Sequence, residues 1–371
     1  MSQHGIAYLS PRQTVFINGR FLGQRVTGIQ RYAREVLAEL DSLLAHGEGD
    51  GLSCRLLAPK GVDLPELRAI PAEQFGYFRG HLWEQFDLPW RVGRGFLFSF
   101  GATGPVLKRR QSITVHDTSV RRIPESFGWR FRLWHEVLLR SITRRSPLTI
   151  TVSRFSAEEI AQCFGVAEDR LRIATEGWQH LSRIEADDAV LDHYGLGTDP
   201  YALAVSSPTP NKNFATIAEA IRLLGDAAPP CVAAGMADPG VFRSAAAHPE
   251  AIKRVGYVSD AALKALYRKA GCFIFPSFYE GFGIPPLEAM ACGCPVLAST
   301  APAVREVCGE AALYFDPKRP DQLAGQIRAV FADAGLRQRL SMAGLARAKR
   351  YSWKESARLN LAFMQEALCK T

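Results

Sequence analysis

The 371-residue chain lacks several features that define common classes of protein. No uninterrupted apolar run reaches the ~18 residues that a membrane-spanning helix needs. The first residues show no basic flank followed by an apolar stretch, so we expect no secretory signal. None of the eight cysteines forms a CxxC pair or has the paired spacing of a zinc site. These absences favour a reduced, cytoplasmic protein over a membrane-spanning or secreted one.

Three signatures of phosphate and metal binding are also missing. No GxGxxG motif follows the first predicted strand and no GxxxxGK[ST] motif occurs anywhere. A dinucleotide-dependent dehydrogenase and a P-loop enzyme therefore lose their main support. The chain contains no Asp-x-Asp motif, so the sequence calls for no metal ion, and we expect no resident cofactor.

The net charge of +8 is unevenly distributed. Residues 101–150 contain ten Lys and Arg against three acids, whereas residues 151–200 contain four basic and ten acidic residues. A local excess of positive charge suggests an anionic partner for the first half of the chain. We expect no nucleic-acid partner, although the positive charge keeps a non-enzymatic nucleic-acid binder open as a less favoured alternative.

Short apolar runs, each followed by a turn and a helical pattern, recur along the chain. Helices that alternate with strands predict right-handed crossovers and parallel, doubly wound sheets. An acidic, turn-rich stretch over residues 176–200 separates two such series, which predicts two Rossmann-like domains, residues 1–180 and 195–350, facing a central cleft. The predicted strands are 14–17, 53–57, 95–100, 112–115 and 148–152, then 201–205, 231–234, 271–276, 295–298 and 312–315.

Residues 271–299 carry the most informative motif. A buried strand ends at Pro276, a loop follows with Glu280-Gly281-Phe282-Gly283, and two prolines sit where a helix containing Glu288 begins. Glycines allow close backbone approach to a ligand, and a helix N-terminus attracts an anion. Carboxylates only accept hydrogen bonds, which suits the hydroxyl pairs of sugars. The arrangement predicts a site for a phosphate that carries sugars on both sides.

This segment resembles the E-x7-E signature of retaining glycosyltransferases of family 4, which have the two-domain GT-B fold. The resemblance implies that Glu280 contacts the transferred sugar and Glu288 the donor ribose, with Gly281, Phe282 and Gly283 in the donor site. It further implies that residues 255–260 lie near the nucleotide base. Residues 351–371 would form a C-terminal helix that packs back on the first domain.

Four more residues match the family. Lys212 follows a strand and opens a helix, as does the family lysine that neutralises the donor diphosphate. His116 and Asp117 resemble the histidine loop that faces the donor sugar, with Asp117 on the acceptor side, and Gly28 resembles the family's glycine loop. Many members have an arginine where this chain has Ser207 or Asn211, so the sequence leaves open which second cation supports the diphosphate.

The resemblance implies a retaining hexosyltransferase, with mannose or a related sugar favoured. The donor would be a nucleotide-diphosphate sugar and the acceptor a saccharide or polyprenyl-linked saccharide of a bacterial surface polysaccharide. A nucleotide-sugar epimerase shares the two-domain architecture and is the main alternative.

Residues 127–145 interleave aromatic side chains with arginines. We expect the apolar side of this helix, with Trp134, Val137, Leu138 and Ser141, to face the core. The arginines could then meet lipid headgroups at the inner face of the cytoplasmic membrane. The hypothesis is a salt-reversible, peripheral association through Arg121, Arg122, Arg130, Arg140, Arg144 and Arg145.

Overall fold

The computed structural model of the chain describes residues 13–49, 51–197, 199–205, 209–235 and 252–370. Its first half forms a seven-stranded sheet whose neighbouring strands are all parallel, in the order β3-β2-β1-β4-β5-β6-β7. The strands are β1 (Gln13–Asn18), β2 (Leu52–Pro59), β3 (Ala72–Phe75), β4 (Phe96–Ser99), β5 (Gln111–Thr114), β6 (Thr149–Thr151) and β7 (Leu171–Ile173).

Apolar cores cover both faces of this sheet. Successive residues of β2, Leu56 and Leu57, belong to different buried clusters, as expected because neighbouring side chains on a strand point to opposite faces. A π-helical turn at Trp83–Asp87 joins the second and third helices. The helices are α1 (Gly28–Ala45), α2 (Gly80–Leu82), α3 (Leu88–Val92), α4 (Ser119–Arg122), α5 (Trp129–Arg145) and α6 (Arg154–Phe164).

Two short helices, α7 (Gln179–Ser182) and α8 (Ala189–His193), lead into the second sheet. That sheet has six parallel strands in the order β10-β9-β8-β11-β12-β13. The strands are β8 (Ala202–Val205), β9 (Cys231–Ala234), β10 (Ile252–Gly256), β11 (Cys272–Phe275), β12 (Val296–Ser299) and β13 (Ala312–Phe315). The helices are α9 (Phe214–Leu224), α10 (Asp260–Lys269), α11 (Ile284–Ala291), α12 (Pro302–Cys308), α13 (Pro320–Ala332) and α14 (Ala334–Ala348).

The last helix, α15 (Trp353–Cys369), returns to the first domain. Buried Asn360 donates to the hydroxyl of Tyr32 on α1 at 2.9 Å, and Glu366 pairs with Arg172 on β7. The C-terminal helix therefore joins elements of the first half although it follows the second sheet in the chain.

The two parallel, doubly wound sheets confirm the predicted fold class, and all ten predicted strands are present within a residue or two. Three strands were missed, namely β3, β7 and β10. Each lies at the edge of its sheet, where partial exposure removes the continuous apolar run of a central parallel strand. Among the described residues, no helix is both long enough and apolar enough to cross a membrane.

We predict that Asp41→Asn lowers thermal stability. Asp41 on α1 is buried and accepts hydrogen bonds from the backbone N–H groups of Arg68, Ala69 and Ile70 at 2.8–2.9 Å. An amide NH₂ in place of Oδ2 would face the N–H of Arg68, an unsatisfied contact that costs about 1–3 kcal/mol. Differential scanning fluorimetry measures the change. Glu219→Gln, at an exposed pair with Arg222, is the control and should leave the melting temperature almost unchanged.

Candidate active site

A cavity of about 710 Å³ lies between the two domains. Its wall is built from segments that follow β1, β5, β8 and β11, at the carboxyl ends of the strands, where open parallel sheets bind their ligands. All nine residues that the sequence predicts for the site line this one cavity: Gly28, His116, Asp117, Lys212, Glu280, Gly281, Phe282, Gly283 and Glu288.

Glu280 and Lys212 form an ion pair in the cavity wall. The Lys212 ammonium donates to both carboxylate oxygens of Glu280, at 2.7 and 2.9 Å. The two side chains come from loops after β8 and β11, which are neighbouring strands. The sequence assigned them to different parts of the donor and gave no sign of this direct contact, which holds both groups in place at one wall.

The two motif glycines serve different purposes. Gly283 has φ of 117°, a conformation that L-residues other than glycine rarely adopt, and it is the N-cap of α11. Gly281 packs so closely against His116 that an added Cβ would collide with the His116 carbonyl oxygen. The Gly281 carbonyl also accepts from Ser153 and Ser156 at 2.6 and 3.0 Å. Gly281 is therefore required for the close contact between the two domains.

Glu288 lies in the middle of α11 and is buried, yet it lines the cavity. One oxygen lies 2.9 Å from Nε2 of His180, and the other accepts from the hydroxyl of Tyr267 at 3.1 Å. Burial and the neighbouring Glu288 carboxylate raise the pKa of Tyr267 well above its usual value, so Tyr267 stays a hydrogen-bond donor. Neither His180 nor Tyr267 was predicted from the sequence as a residue of the site.

His116 is buried, and its Nε2 lies 3.0 Å from the carbonyl oxygen of Phe100. Its Nδ1 lies 3.5 Å from a carboxylate oxygen of Glu176. Burial raises the pKa of the Glu176 carboxyl group. Glu176 also lines the cavity, whereas the sequence placed it only in the stretch between the domains. Asp117 accepts from the backbone N–H of Ser119 at 2.7 Å, so its carboxylate also shapes the loop that carries His116.

Two contacts join the domains across the cavity. Arg31 of α1 donates to both carboxylate oxygens of Asp260 at the start of α10, each at 2.6 Å. The guanidinium of Arg25 lies 4.9 Å from the ring centre of Tyr257. Arg25, Arg31 and Tyr257 line the cavity, which brings the segment predicted near the base to its wall.

Two arginines, Arg25 and Arg31, line the cavity in addition to Lys212. Ser207 lies outside the described residues. Arg25 brings a guanidinium to the cavity from the first domain, a position that a motif search confined to the second domain does not reach. Within the described ranges, no group of three or more His, Cys, Asp or Glu side chains is arranged to hold a metal ion.

A family model described as Glycosyl transferases group 1 matches residues 192–347. The O-antigen chain mannosyltransferase B of Escherichia coli is 33% identical over 257 residues, which cover 66% of this chain and 67% of that protein. The O-antigen chain mannosyltransferase RfbU of Salmonella typhimurium is 29% identical over 215 residues, which cover 57% of this chain and 58% of that protein.

A solved structure extends the likeness over almost the whole chain. Sucrose-phosphate synthase from Thermosynechococcus elongatus superposes with a TM-score of 0.72 at 18% identity, covering 96% of this chain and 99% of that one. This likeness supports the GT-B fold implied by the E-x7-E motif, and the predicted fold is confirmed. Identity of 33% over two thirds of the Escherichia coli protein, together with the family match, shows that the chain belongs to the group 1 glycosyltransferases.

Proposed function

We propose that this glycosyltransferase moves a hexose, with mannose the first choice, from a nucleotide-diphosphate sugar to a saccharide or polyprenyl-linked saccharide acceptor. The product would be part of a surface polysaccharide, and the configuration at the anomeric carbon would be retained. The observation that carries the proposal is the convergence of Lys212, Glu280 and Glu288 with the N-terminus of α11 on one interdomain cavity.

The cavity offers complementary groups for each part of such a donor. The Lys212 ammonium and the positive end of the α11 dipole suit a diphosphate. The carboxylates of Glu280 and Glu288 suit hydroxyl groups of a hexose and of a ribose. Tyr257 presents an aromatic ring at the cavity wall, which suits a nucleotide base. In the first domain, His116 would face the donor sugar, and Asp117 would lie on the acceptor side.

In the reaction, the bond between the anomeric carbon and the β-phosphate oxygen breaks. An acceptor hydroxyl forms the new bond from the face that the phosphate leaves, and its proton passes to the departing phosphate oxygen. Lys212 and the α11 N-terminus oppose the negative charge that develops on the diphosphate, because preorganised positive groups stabilise charge that appears in the transition state. Glu280 orients the sugar and also holds the Lys212 ammonium in place. The chain needs to supply no metal ion for these steps.

The sugar and the pathway are supported by the relatives. Both curated relatives described above are named O-antigen mannosyltransferases, which favours mannose and a surface polysaccharide. The matches cover only part of each relative, 67% and 58% of their lengths. In this proposal, the first domain chiefly determines which acceptor is used. A screen of UDP-, GDP-, ADP- and dTDP-sugars by thermal shift identifies the donor, because a bound ligand stabilises the folded protein.

A membrane surface is part of the proposal because a polyprenyl-linked acceptor lies in a bilayer. Ion pairs narrow the set of arginines that we propose for contact with an anionic bilayer. Arg121 and Arg140 both pair with Glu136, and Arg122 pairs with Glu159, so these three charges are partly compensated. Arg130, Arg144 and Arg145 remain exposed on α5.

Apolar side chains add to this surface. Val137 is exposed rather than in the core, and the buried residues of α5 are Leu138, Leu139, Ile142 and Thr143. Trp129 at the start of α5 is 68% exposed. Aromatic and basic side chains together suit a membrane interface. We therefore infer peripheral binding of this face to an anionic bilayer.

Substitutions separate the steps of catalysis. Glu280→Ala and Lys212→Ala should each lower kcat about 100-fold, because each removes a group that stabilises or orients the transition state. Glu288→Gln should chiefly raise the donor KM, since it weakens hydrogen bonds to the donor rather than the departing charge. Release of nucleoside diphosphate measures both constants.

Acceptor dependence and a control variant distinguish a glycosyltransferase from an epimerase and from a general loss of activity. Wild-type protein should release nucleoside diphosphate rapidly only when acceptor is present, whereas an epimerase would interconvert the donor without acceptor. Glu310→Ala, at an exposed position, is the matched control and should keep wild-type constants. Near wild-type kcat in both Glu280→Ala and Lys212→Ala would show that the catalytic assignment is wrong.

Vesicle binding tests the membrane surface. Vesicles with anionic lipid should capture the protein at low salt and release it at high salt, because each basic residue adds at most about 1 kcal/mol and salt screens it. Changing Arg130, Arg144 and Arg145 together to Glu should abolish capture and leave activity on a short, water-soluble acceptor intact. The same charge change at exposed Lys318, Arg328 and Arg339 of the second domain is the control. Equal loss of capture in both triple variants would refute a specific surface.

A further inference from the structure

A tryptophan of the C-terminal helix reaches the donor-side carboxylate through one histidine. Trp353, the first residue of α15, is fully buried. Its indole Nε1 lies 3.1 Å from Nδ1 of His180, and Nε2 of the same ring lies 2.9 Å from Glu288. Three residues from the interdomain stretch, α11 and α15 thus form one buried chain of hydrogen bonds.

The chemistry of these groups fixes where the protons lie. An indole N–H can only donate, so Nδ1 of His180 must accept and carries no proton. The ring proton is then on Nε2, from which it is donated to the carboxylate of Glu288. The opposite tautomer would set the Trp353 N–H against a second N–H, and the Nε2 lone pair against the carboxylate.

Glu288 keeps acceptor capacity after these contacts. A carboxylate has about four acceptor positions, and the described neighbours His180 and Tyr267 use one on each oxygen. About two acceptor positions, one on each oxygen, therefore remain for hydroxyl groups of a ligand. The carboxylate is held from two sides while it borders the cavity.

We propose that Trp353 is a positioning residue for donor binding: by fixing the tautomer of His180, it orients the Glu288 carboxylate for the ribose hydroxyls of the nucleotide. The inference rests on the proposed function, in which Glu288 meets that ribose. It adds a role for the C-terminal helix, which the sequence motif did not include.

Helix α15, which carries Trp353, is anchored to the first domain. The helix is bonded to Tyr32 and Arg172 of the first domain, and the backbone N–H of Trp353 donates to Gln179 at 3.0 Å. A donor-binding group of the second domain therefore depends on a helix that is anchored in the first. Donor affinity becomes sensitive to how α15 is seated.

Trp353→Phe removes the indole N–H and keeps an aromatic ring. Binding of GDP and UDP is measured by calorimetry, and the Kd of the tighter one should rise about three- to tenfold, the effect of one lost hydrogen bond. The donor KM should rise by a similar factor while kcat changes less than about twofold. Trp178→Phe is the matched control, because the Trp178 indole donates to the carbonyl of Ala348 at 2.9 Å and does not contact His180. It should leave the Kd unchanged.

Two readouts separate positioning from general damage. A 2′,3′-dideoxy analogue of the same nucleoside diphosphate lacks the ribose hydroxyls, so its Kd should be the same for wild type and Trp353→Phe. Nitrogen-15 spectra of histidine-labelled protein should show Nδ1 of His180 unprotonated and Nε2 protonated, with the signal assigned by its loss in His180→Gln. Trp353→Phe should shift that signal toward a mixture of tautomers.

Each outcome decides a different claim. Equal nucleotide Kd values for Trp353→Phe and Trp178→Phe, or a protonated Nδ1 in wild type, would overturn the positioning role. If the dideoxy analogue weakens as much as the natural nucleotide, Trp353 does not act through the ribose and the inference is wrong. If wild-type protein binds none of GDP, UDP and, measured in the same way, ADP and dTDP, the proposed function and the ribose contact both fail, and the nitrogen spectra still decide the tautomer.

Discussion

The contact between Gly281 and the first domain fixes the geometry on which the whole site depends. Its carbonyl accepts from the Ser153 hydroxyl, and the Ser156 hydroxyl, with its single proton, lies 3.0 Å from the carbonyl oxygens of both Gly281 and His116. Because these buried serine hydroxyls contact both carbonyls, the glutamate loop of the second domain and the histidine loop of the first are held together. A cavity lined by residues of both domains follows from that arrangement.

The charged groups of the site lie in pairs, of which Glu288 and His180 are buried and Glu280 and Lys212 are half-buried. An isolated charge is costly to bury, and a carboxylate is tolerated when hydrogen-bond donors surround it. Glu288 is held by His180 and Tyr267, and Glu280 by Lys212. Glu176 differs from these two glutamates, because its burial raises the pKa of its carboxyl group. This pairing preorganises the site, so a donor meets groups that are already oriented.

Residue patterns predicted the central strands and nine residues that line the cavity, and they failed at particular places for physical reasons. The buried strand β11 and the glycine and proline positions after it are local features, so residues 271–299 could be interpreted without a structure. Strands β3, β7 and β10 were missed because edge strands are partly exposed and carry polar residues. For Gly281, the pattern indicated space for a ligand, and the structure adds close packing against His116.

The sequence by itself determined the two series of parallel strands, the family resemblance and the nine residues that line the cavity. These features are local, since apolar periodicity, turn residues and motif spacing are set by neighbours in the chain. Tertiary structure alone decided that Lys212 pairs with Glu280, 68 residues away, and that His180 reaches Glu288 across 108 residues. Contacts at such separations depend on how all intervening elements pack, and no short pattern of residues specifies that packing.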